Sequence, residues 1–240
     1  MNIILFEALE AYNTLSLTDE RAKHILKVLH LQVGDTFLAG VVNQGKGTAK
    51  LVGKDEEQLR FTFSPNDTEI ARLYPVTLLV AQVRPISMRR ILREAVSLGV
   101  ERIILCTTET GEKSYAQANL YTSGEYRSIL LDGAMQSGEC GISEVQFARS
   151  VKEAVQSLDQ GMLRIVLDNV RIGKPLSTFE CKHDAPVVLA IGPERGFTDH
   201  ERDVFAIHDF QFATLGSRIL RTETACSAGL AVLLGRMGLL

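Results

Sequence analysis

The sequence predicts a two-domain protein, a small β-barrel followed by an α/β domain built on a mostly parallel sheet. Three observations carry this. Short β-runs separated by glycine-rich or charged turns fill roughly the first 70 residues, the pattern of a compact barrel or sandwich. Beyond them apolar strand segments alternate with helical ones, the rhythm of a parallel sheet covered by helices. The strongest turn signals, Ser64-Pro65-Asn66-Asp67 and Tyr74-Pro75, fall between the two patterns. They place a boundary near residue 72, giving domains 1–72 and 73–240.

Within the first domain, Thr18 is read as the cap of a helix whose apolar positions Ala22, Ile25, Leu26 and Leu29 follow helical spacing, with Gly34-Asp35 turning out of it. Strands are predicted at Phe37–Ala39, Val41-Val42, Ala49–Val52 and Leu59–Phe63. In the second domain Val76–Ala81 is a continuous apolar run suited to a strand buried on both faces. Ile86–Leu98 is helical, with Met88, Ile91, Leu92 and Ala95 on one side and Gly99 ending it. Ile103–Leu105 is a strand and Tyr121–Met135 a helix. Ser150-Val151-Lys152-Glu153 has the form of a capping box, Leu163–Leu167 and Ala185–Ile191 are strands, and Cys226–Leu240 is a helix apolar nearly all round.

Composition narrows the function classes. The chain has 240 residues, 45% hydrophobic and 23% charged, with a formal net charge of −3, close to globular averages and unlike a collagenous or disordered chain. That balance argues against holding any nucleic acid by bulk charge and leaves room for a local basic stripe. Cys106, Cys140, Cys181 and Cys226 have no metal-ligand or disulfide-framework spacing, so reduced thiols and no metal are expected. The N-terminal Met1–Glu7 lacks a basic region and a cleavage site, and the greasiest stretch, Ala225–Leu240, is interrupted by Arg236. A cytoplasmic protein is expected.

One motif is a decoy. Gly40–Gly47 matches a phosphate-binding P-loop at all but the last place, where Gly47 replaces the Ser or Thr that would hold magnesium. The next segment, Thr48–Val52, reads as a strand rather than a helix, so a hairpin turn is expected and a nucleotide hydrolase is the weaker alternative.

The informative residues lie in two loops near the C-terminus. After the strand ending at Ile191 comes Gly192-Pro193-Glu194-Arg195-Gly196-Phe197, then the capping box Thr198-Asp199-His200-Glu201. Ligands bind at the carboxyl ends of strands in open α/β sheets, and glycines let backbone approach them. The second loop, Leu215-Gly216-Ser217-Arg218-Ile219-Leu220-Arg221-Thr222-Glu223-Thr224-Ala225, comes after a short strand at Gln211–Ala213, with Thr222 as a candidate helix cap. Arg218, Arg221 and Glu223 around Ile219-Leu220 suit a pocket with apolar walls for a purine and polar groups for its edges.

These two loops resemble the paired signature of the RsmE family, bacterial enzymes of the SPOUT superfamily that methylate N3 of a uridine in 16S ribosomal RNA. The similarity runs over almost the whole chain. His24–Leu29 with Gly34-Asp35, and Ala95–Val100, are similar to further family segments. The resemblance implies a PUA-like barrel joined to an α/β domain with a trefoil knot, a homodimer, and S-adenosylmethionine as methyl donor. It implies that Leu167, Ile191, Gly192, Glu194, Gly196, Leu215, Gly216, Ile219 and Leu220 line the cofactor pocket, and that Arg221 and Glu223 face the reacting end. Three features depart from the family pattern: Arg195 replaces a usual glycine, His30 a common arginine, and Ala134–Glu139 matches its segment only in part. Arg195 and His30 favour an alternative reading, an RNA-binding relative with an altered or lost methylation substrate.

Methyl transfer from a sulfonium is an in-line displacement, and a uridine N3 must lose its proton before it attacks. Arg221 is the candidate for stabilising the developing negative charge, with Glu223 orienting it or accepting the proton. Ribosomal RNA, free or in the small ribosomal subunit, is the expected partner. Arg84, Arg89, Arg90 and Arg93, joined by Lys23 and Lys27 of the small domain, form the candidate RNA-binding stripe.

Overall fold

A computed structural model describes residues 2–240. The chain forms two compact units, one comprising the residues up to Arg72 together with Ala134–Ile142, the other Leu73–Gly133 with Ser143–Leu240.

The first unit carries β1 (Ile4–Phe6), β2 (Tyr12–Ser16), α1 (Glu20–Lys23), β3 (Thr36–Val41), β4 (Gly45–Lys54) and β5 (Gln58–Ile70). Its strands form one sheet in the order β1-β3-β4-β5-β2, antiparallel except for β1 against β3. Period-2 patterning drives this: Ala49 and Leu51 of β4 are buried while Thr48 and Lys50 between them are exposed. Both edge strands feed the same core, Phe6 from β1 and Leu15 from β2, so the sheet curls around it. Phe61 sits at the centre, its ring 5.4 Å from Phe6 and 5.7 Å from Phe37.

Asp19, not Thr18, caps α1 by accepting the Arg21 N–H at 2.8 Å. The helix then widens into a π-turn at His24–Val28. That turn breaks the 3.6-residue period, which is why Ile25 is buried but Leu29, expected on the same face, is exposed. The P-loop lookalike is a hairpin between β3 and β4, turned by Asn43 at φ 58°. Gly47 serves strand packing, since a Cβ there would lie 2.2 Å from the Ser64 carbonyl oxygen of β5. Lys46 bonds the Glu139 carboxylate at 2.8 Å instead of a phosphate.

The second unit contains β6 (Tyr74–Ala81), α2 (Pro85–Ser97), β7 (Val100–Cys106), α3 (Asn119–Thr122), α4 (Glu125–Ser137), β8 (Glu144–Ala148) and α5 (Val151–Gln156). Next come β9 (Leu163–Leu167), β10 (Lys174–Pro175), β11 (Val187–Ile191), α6 (Asp199–Ile207), β12 (Gln211–Thr214) and α7 (Thr222–Met237). The helix expected over 121–135 is split by Gly124, whose φ of 75° ends α3. The strands form one seven-stranded parallel sheet in the order β10-β12-β9-β11-β6-β7-β8.

Strand β11 is inserted between β9 and β6, and all five of its residues are buried. Its side chains alternate between the two faces. Val188 and Ala190 join the core that α5 and α6 cover, with Val155 and Phe205. Leu189 and Ile191 meet α7 at Gly229, where a Cβ would come within 3.1 Å of Leu189 and Leu167. That close approach seats α7 against the sheet beside α2. Its other buried residues, Thr222, Cys226, Leu230, Leu233, Leu234 and Met237, form one face, while Thr224, Ala231, Gly235 and Arg236 are exposed. The helix is therefore buried on one face within this chain, and its other face carries Ala231 and Gly235 as well as Thr224 and Arg236. No helix among the described residues is long and apolar enough to cross a membrane.

Phe205 is fully buried and edge-on to both Phe197 and Phe210, with ring centroids 4.8 Å from each. Phe205→Ala should lower stability by about 3–5 kcal/mol. Urea unfolding checks this as a lower midpoint at unchanged slope.

Candidate active site

The sheet register brings five loops out side by side. Leu167, Ile191 and Val80 are lateral partners across β9, β11 and β6, Ala213 pairs with Leu167, and Cys106 with Ala81. The segments leaving these strands therefore share one edge of the sheet, the edge at which α/β sheets bind ligands.

The 192–198 loop is held from several sides. A Cβ at Gly192 would sit 3.1 Å from the Phe197 ring, a tight approach, and Gly196 takes φ 72°, so both positions favour glycine. Thr198 and Glu201 form the expected capping box. Glu201 is only 3% exposed, yet its carboxylate is satisfied: one oxygen accepts the Thr198 N–H and the other the Glu109 N–H, both at 2.9 Å. Thr110 Oγ1 donates to the Gly196 carbonyl at 2.7 Å. The 107–111 loop after β7 is thereby stitched to the loop after β11. The Glu109 carboxyl lies below the usual carboxylate range because it accepts the Thr198 hydroxyl and pairs with His200 Nδ1.

The loop after β9 is fixed by a buried ion pair that sequence reasoning missed. Asp168 accepts the backbone N–H groups of Val170 and Arg171, each at 2.7 Å, and its carboxylate takes Arg202 Nε at 3.0 Å. Arg202 also reaches Asp199 at 2.9 Å. A signal was available. Arg202 lies three residues before the buried Phe205, at a core-facing helical spacing, and Asp168 directly succeeds an apolar strand.

In the 215–221 loop Gly216 takes φ 121°, and a Cβ there would meet nothing within 4 Å. Backbone shape, not crowding, calls for this glycine, and space stands beside it. Thr222 is not the helix cap. Arg221 occupies that position, exposed, while Thr222 is buried as the first helical residue and donates its hydroxyl to the Gly192 carbonyl at 3.3 Å. The start of α7 is thus tied directly to the loop after β11. Glu223, half-buried on the first turn, helps hold the Cys226 thiol protonated, though burial is the main cause.

The other residues expected from sequence divide by exposure and by partner. Leu167, Gly192, Gly196, Leu215 and Leu220 are half-buried and Ile191 is buried, whereas Glu194, Gly216 and Ile219 are exposed, the last at 83%. Arg84 precedes α2, its Nε 3.3 Å from the Tyr115 hydroxyl and its charge near Glu194. Arg89 is engaged by both oxygens of Glu125, at 2.7 and 2.9 Å, while Arg90 and Arg93 are exposed. In the other unit Lys23 pairs with Glu20 and Lys27 is exposed.

The two glycine-bearing loops offer reachable backbone beside apolar Leu167, Ile191 and Leu220, and no side chain crowds Gly216. This donor set fits an adenine-bearing cofactor. The fold and this edge define a class. Residues 71–234 match the model of an RNA methyltransferase domain. Over 242 residues the chain is 35% identical to the Ribosomal RNA small subunit methyltransferase E of Treponema pallidum, covering 98% of this chain and 91% of the relative. It is 31% identical over 229 residues to the Ribosomal RNA small subunit methyltransferase E 1 of Borreliella burgdorferi, covering 95% of each. The fold is shared with the crystal structure of a Ribosomal RNA small subunit methyltransferase E from Neisseria gonorrhoeae bound to S-adenosyl methionine, with TM-score 0.79, 23% identity, and 98% and 97% of the two chains covered. The chain belongs to the ribosomal RNA small subunit methyltransferase E family, the family that its two C-terminal loops resemble.

Arg202→Met should strand Asp168 as a buried, uncompensated charge and cost about 3–5 kcal/mol. Chemical denaturation measures the loss, and hydrogen exchange at Val170 and Arg171 should rise with it.

Proposed function

We propose that the protein transfers the methyl group of S-adenosylmethionine to N3 of a uridine in 16S ribosomal RNA. The observation that carries this, in a chain of this family, is the Thr222–Gly192 bond. It fastens the loop of Arg221 and Glu223 to the glycine loop after β11, so that a donor and its acceptor can be held at one place. When bound, the cofactor supplies an electrophilic methyl group on a sulfonium. The chain's own residues do the rest. The backbone of 192–196 and 215–220, with Leu167, Ile191, Leu215, Ile219 and Leu220 as apolar surface, holds the cofactor; Gly192, Gly196 and Gly216 keep that backbone within reach, and Glu194 supplies a polar edge. Arg221 stabilises negative charge on the imide, and Glu223 orients it or accepts the N3 proton.

A base within a paired helix is stacked out of reach, so the substrate is a single-stranded or flipped uridine. Arg90 and Arg93 of α2, with Lys23 and Lys27 of the barrel unit, contact the RNA backbone, and Arg89 joins them by leaving Glu125. The enzyme is cytoplasmic and acts as a homodimer. Arg195 and His30, which favour the substrate-altered alternative, are both exposed. Arg195 takes the place of one loop glycine but leaves Gly192, Gly196 and Gly216 in place, and His30 lies outside both loops, so transfer is the better-supported reading.

Calorimetric titration with S-adenosylmethionine should show saturable binding to the wild type that is abolished in Gly196→Trp. Glu223→Ala should bind the cofactor normally and lose at least about tenfold in turnover; near-normal turnover at saturating cofactor would remove its role. Replacing Arg90 and Arg93 should weaken RNA binding and flatten its dependence on log salt by about 0.7 per lost phosphate contact.

A further inference from the structure

We infer that Arg84 belongs to the base-binding end of the transfer site, donating to a carbonyl oxygen that flanks N3 of the reacting uridine, rather than to the phosphate-binding stripe of α2. This rests on the uridine-methylation reading above.

The placement comes from the backbone. Val80 of β6 and Ile191 of β11 are lateral partners, so the segments 82–84 and 192–194 leave the sheet together. Arg84 has φ −48° and ψ 136°, and Pro85 comes next as the first residue of α2. A residue before proline is held extended, and proline opens the helix in its turn. Arg84 is therefore fixed at the sheet edge, ahead of the helix on which the other three arginines lie. Arg93 is nine residues further on, about 13 Å along the helix axis.

The surroundings of Arg84 differ from those of its neighbours in sequence. Arg89 is occupied by a bidentate pair with Glu125. Arg84 is steered by two groups that leave most of its donors available. Tyr115 receives Nε at 3.3 Å, and Glu194 of the glycine loop lies within range of its charge. Both hold the guanidinium firmly protonated, and the terminal N–H groups remain as a fork. At Gly192 itself, Thr222 anchors the loop that carries Arg221 and Glu223. Arg84, near Glu194, and the start of α7 that follows Arg221, tied to Gly192 through Thr222, therefore both adjoin the Gly192–Glu194 segment.

The chemistry calls for a donor at such a place. Loss of the N3 proton to Glu223 or to water leaves negative charge spread over N3, O2 and O4. The N3 lone pair then forms the new N–C bond to the methyl carbon, and the C–S bond breaks with its electron pair going to sulfur, which becomes a neutral thioether. A cation on N3 itself would occupy the attacking lone pair. A cation on O2 or O4 stabilises the anion and leaves the line of attack open. Such a contact strengthens as charge develops and acts on kcat, whereas a phosphate contact is equal in ground and transition states and acts on KM.

The test uses the full-length protein, S-adenosylmethionine and 16S ribosomal RNA as free RNA or in small subunits, with Arg84→Met and Arg84→Lys as variants. Calorimetry should give Arg84→Met a cofactor affinity within twofold of wild type. Its KM for RNA should stay within about threefold while kcat falls about 100-fold at neutral pH, the cost typical of removing one donor to a developing anion. The deficit should shrink as pH rises, because the imide then ionises unaided, moving the pH–rate limb upward; Arg84→Lys should recover part of kcat. The proposal is overturned by a kcat within twofold of wild type, or by a loss confined to KM with a shallower salt dependence, which marks a phosphate contact. An equal deficit at every pH together with weakened cofactor binding marks a merely structural role and overturns it too. A wild type that binds cofactor and methylates RNA keeps the underlying reading whatever the variants do; a wild type that transfers no methyl group removes both.

Discussion

The geometry of the sheet edge depends on β11, a strand of five residues hydrogen-bonded to β9 on one side and β6 on the other, with helices over both of its faces. No register slip is open to it. A shift by one residue would exchange Val188 and Ala190 for Leu189 and Ile191 between two differently shaped cores. Because β11 cannot move, Gly192 leaves the sheet at a fixed point, and the loops after β6 and β9 leave beside it. The loops after β6 and β11 start from firm roots, since Val80, Ala81 and Ile191 are all buried.

What β11 does for the roots, buried charge does for the loops. Glu201 takes one N–H from each of two loops, and Asp168 takes two from one loop while held by Arg202. Carboxylates suit this task, since each oxygen accepts more than one donor and an apolar side chain of equal volume could accept none. Pairs of this kind add little net stability once desolvation is counted. Their contribution is directional: they set where the N–H groups of a loop point, which apolar packing leaves free.

Much of this was legible in the sequence, and the parts that were not share a cause. Local signals held. The Thr198–Glu201 box forms in full, Leu163–Leu167 is a strand with the predicted bounds, and Gly47 marks a hairpin strand as its context required. Signals that need a distant partner misled or were silent. The Ser150 box is a local exception: Ser150 accepts the Glu153 N–H as expected, yet the Glu153 carboxylate turns back to neighbouring Arg149 instead of completing the box. Thr222 reads as a cap by type, but its hydroxyl is claimed by Gly192, thirty residues away. The arginines of residues 84–93 look alike in sequence; only tertiary structure separates Arg89, tied to Glu125, from Arg84 beside Tyr115. In the candidate site the glycines were readable because backbone conformation is a local property, while the Asp168–Arg202 pair requires knowing that β9 ends beside α6.

The return of Ala134–Ile142 to the first unit has a consequence for how the chain is made. Asn2 bonds Met135, Asn43 bonds Cys140 and Ile142, and Lys46 bonds Glu139. The barrel is encoded first, yet its last piece is encoded after more than a third of the second unit, and the chain passes between the units three times, near residues 72, 133 and 142. During synthesis the barrel waits, incomplete, with the turn of its β3–β4 hairpin uncovered until residue 142 has left the ribosome, several seconds later at about 5–20 residues per second. Neither unit can be cut out as one uninterrupted stretch of sequence, so the two halves of this enzyme are inherited, translated and truncated together.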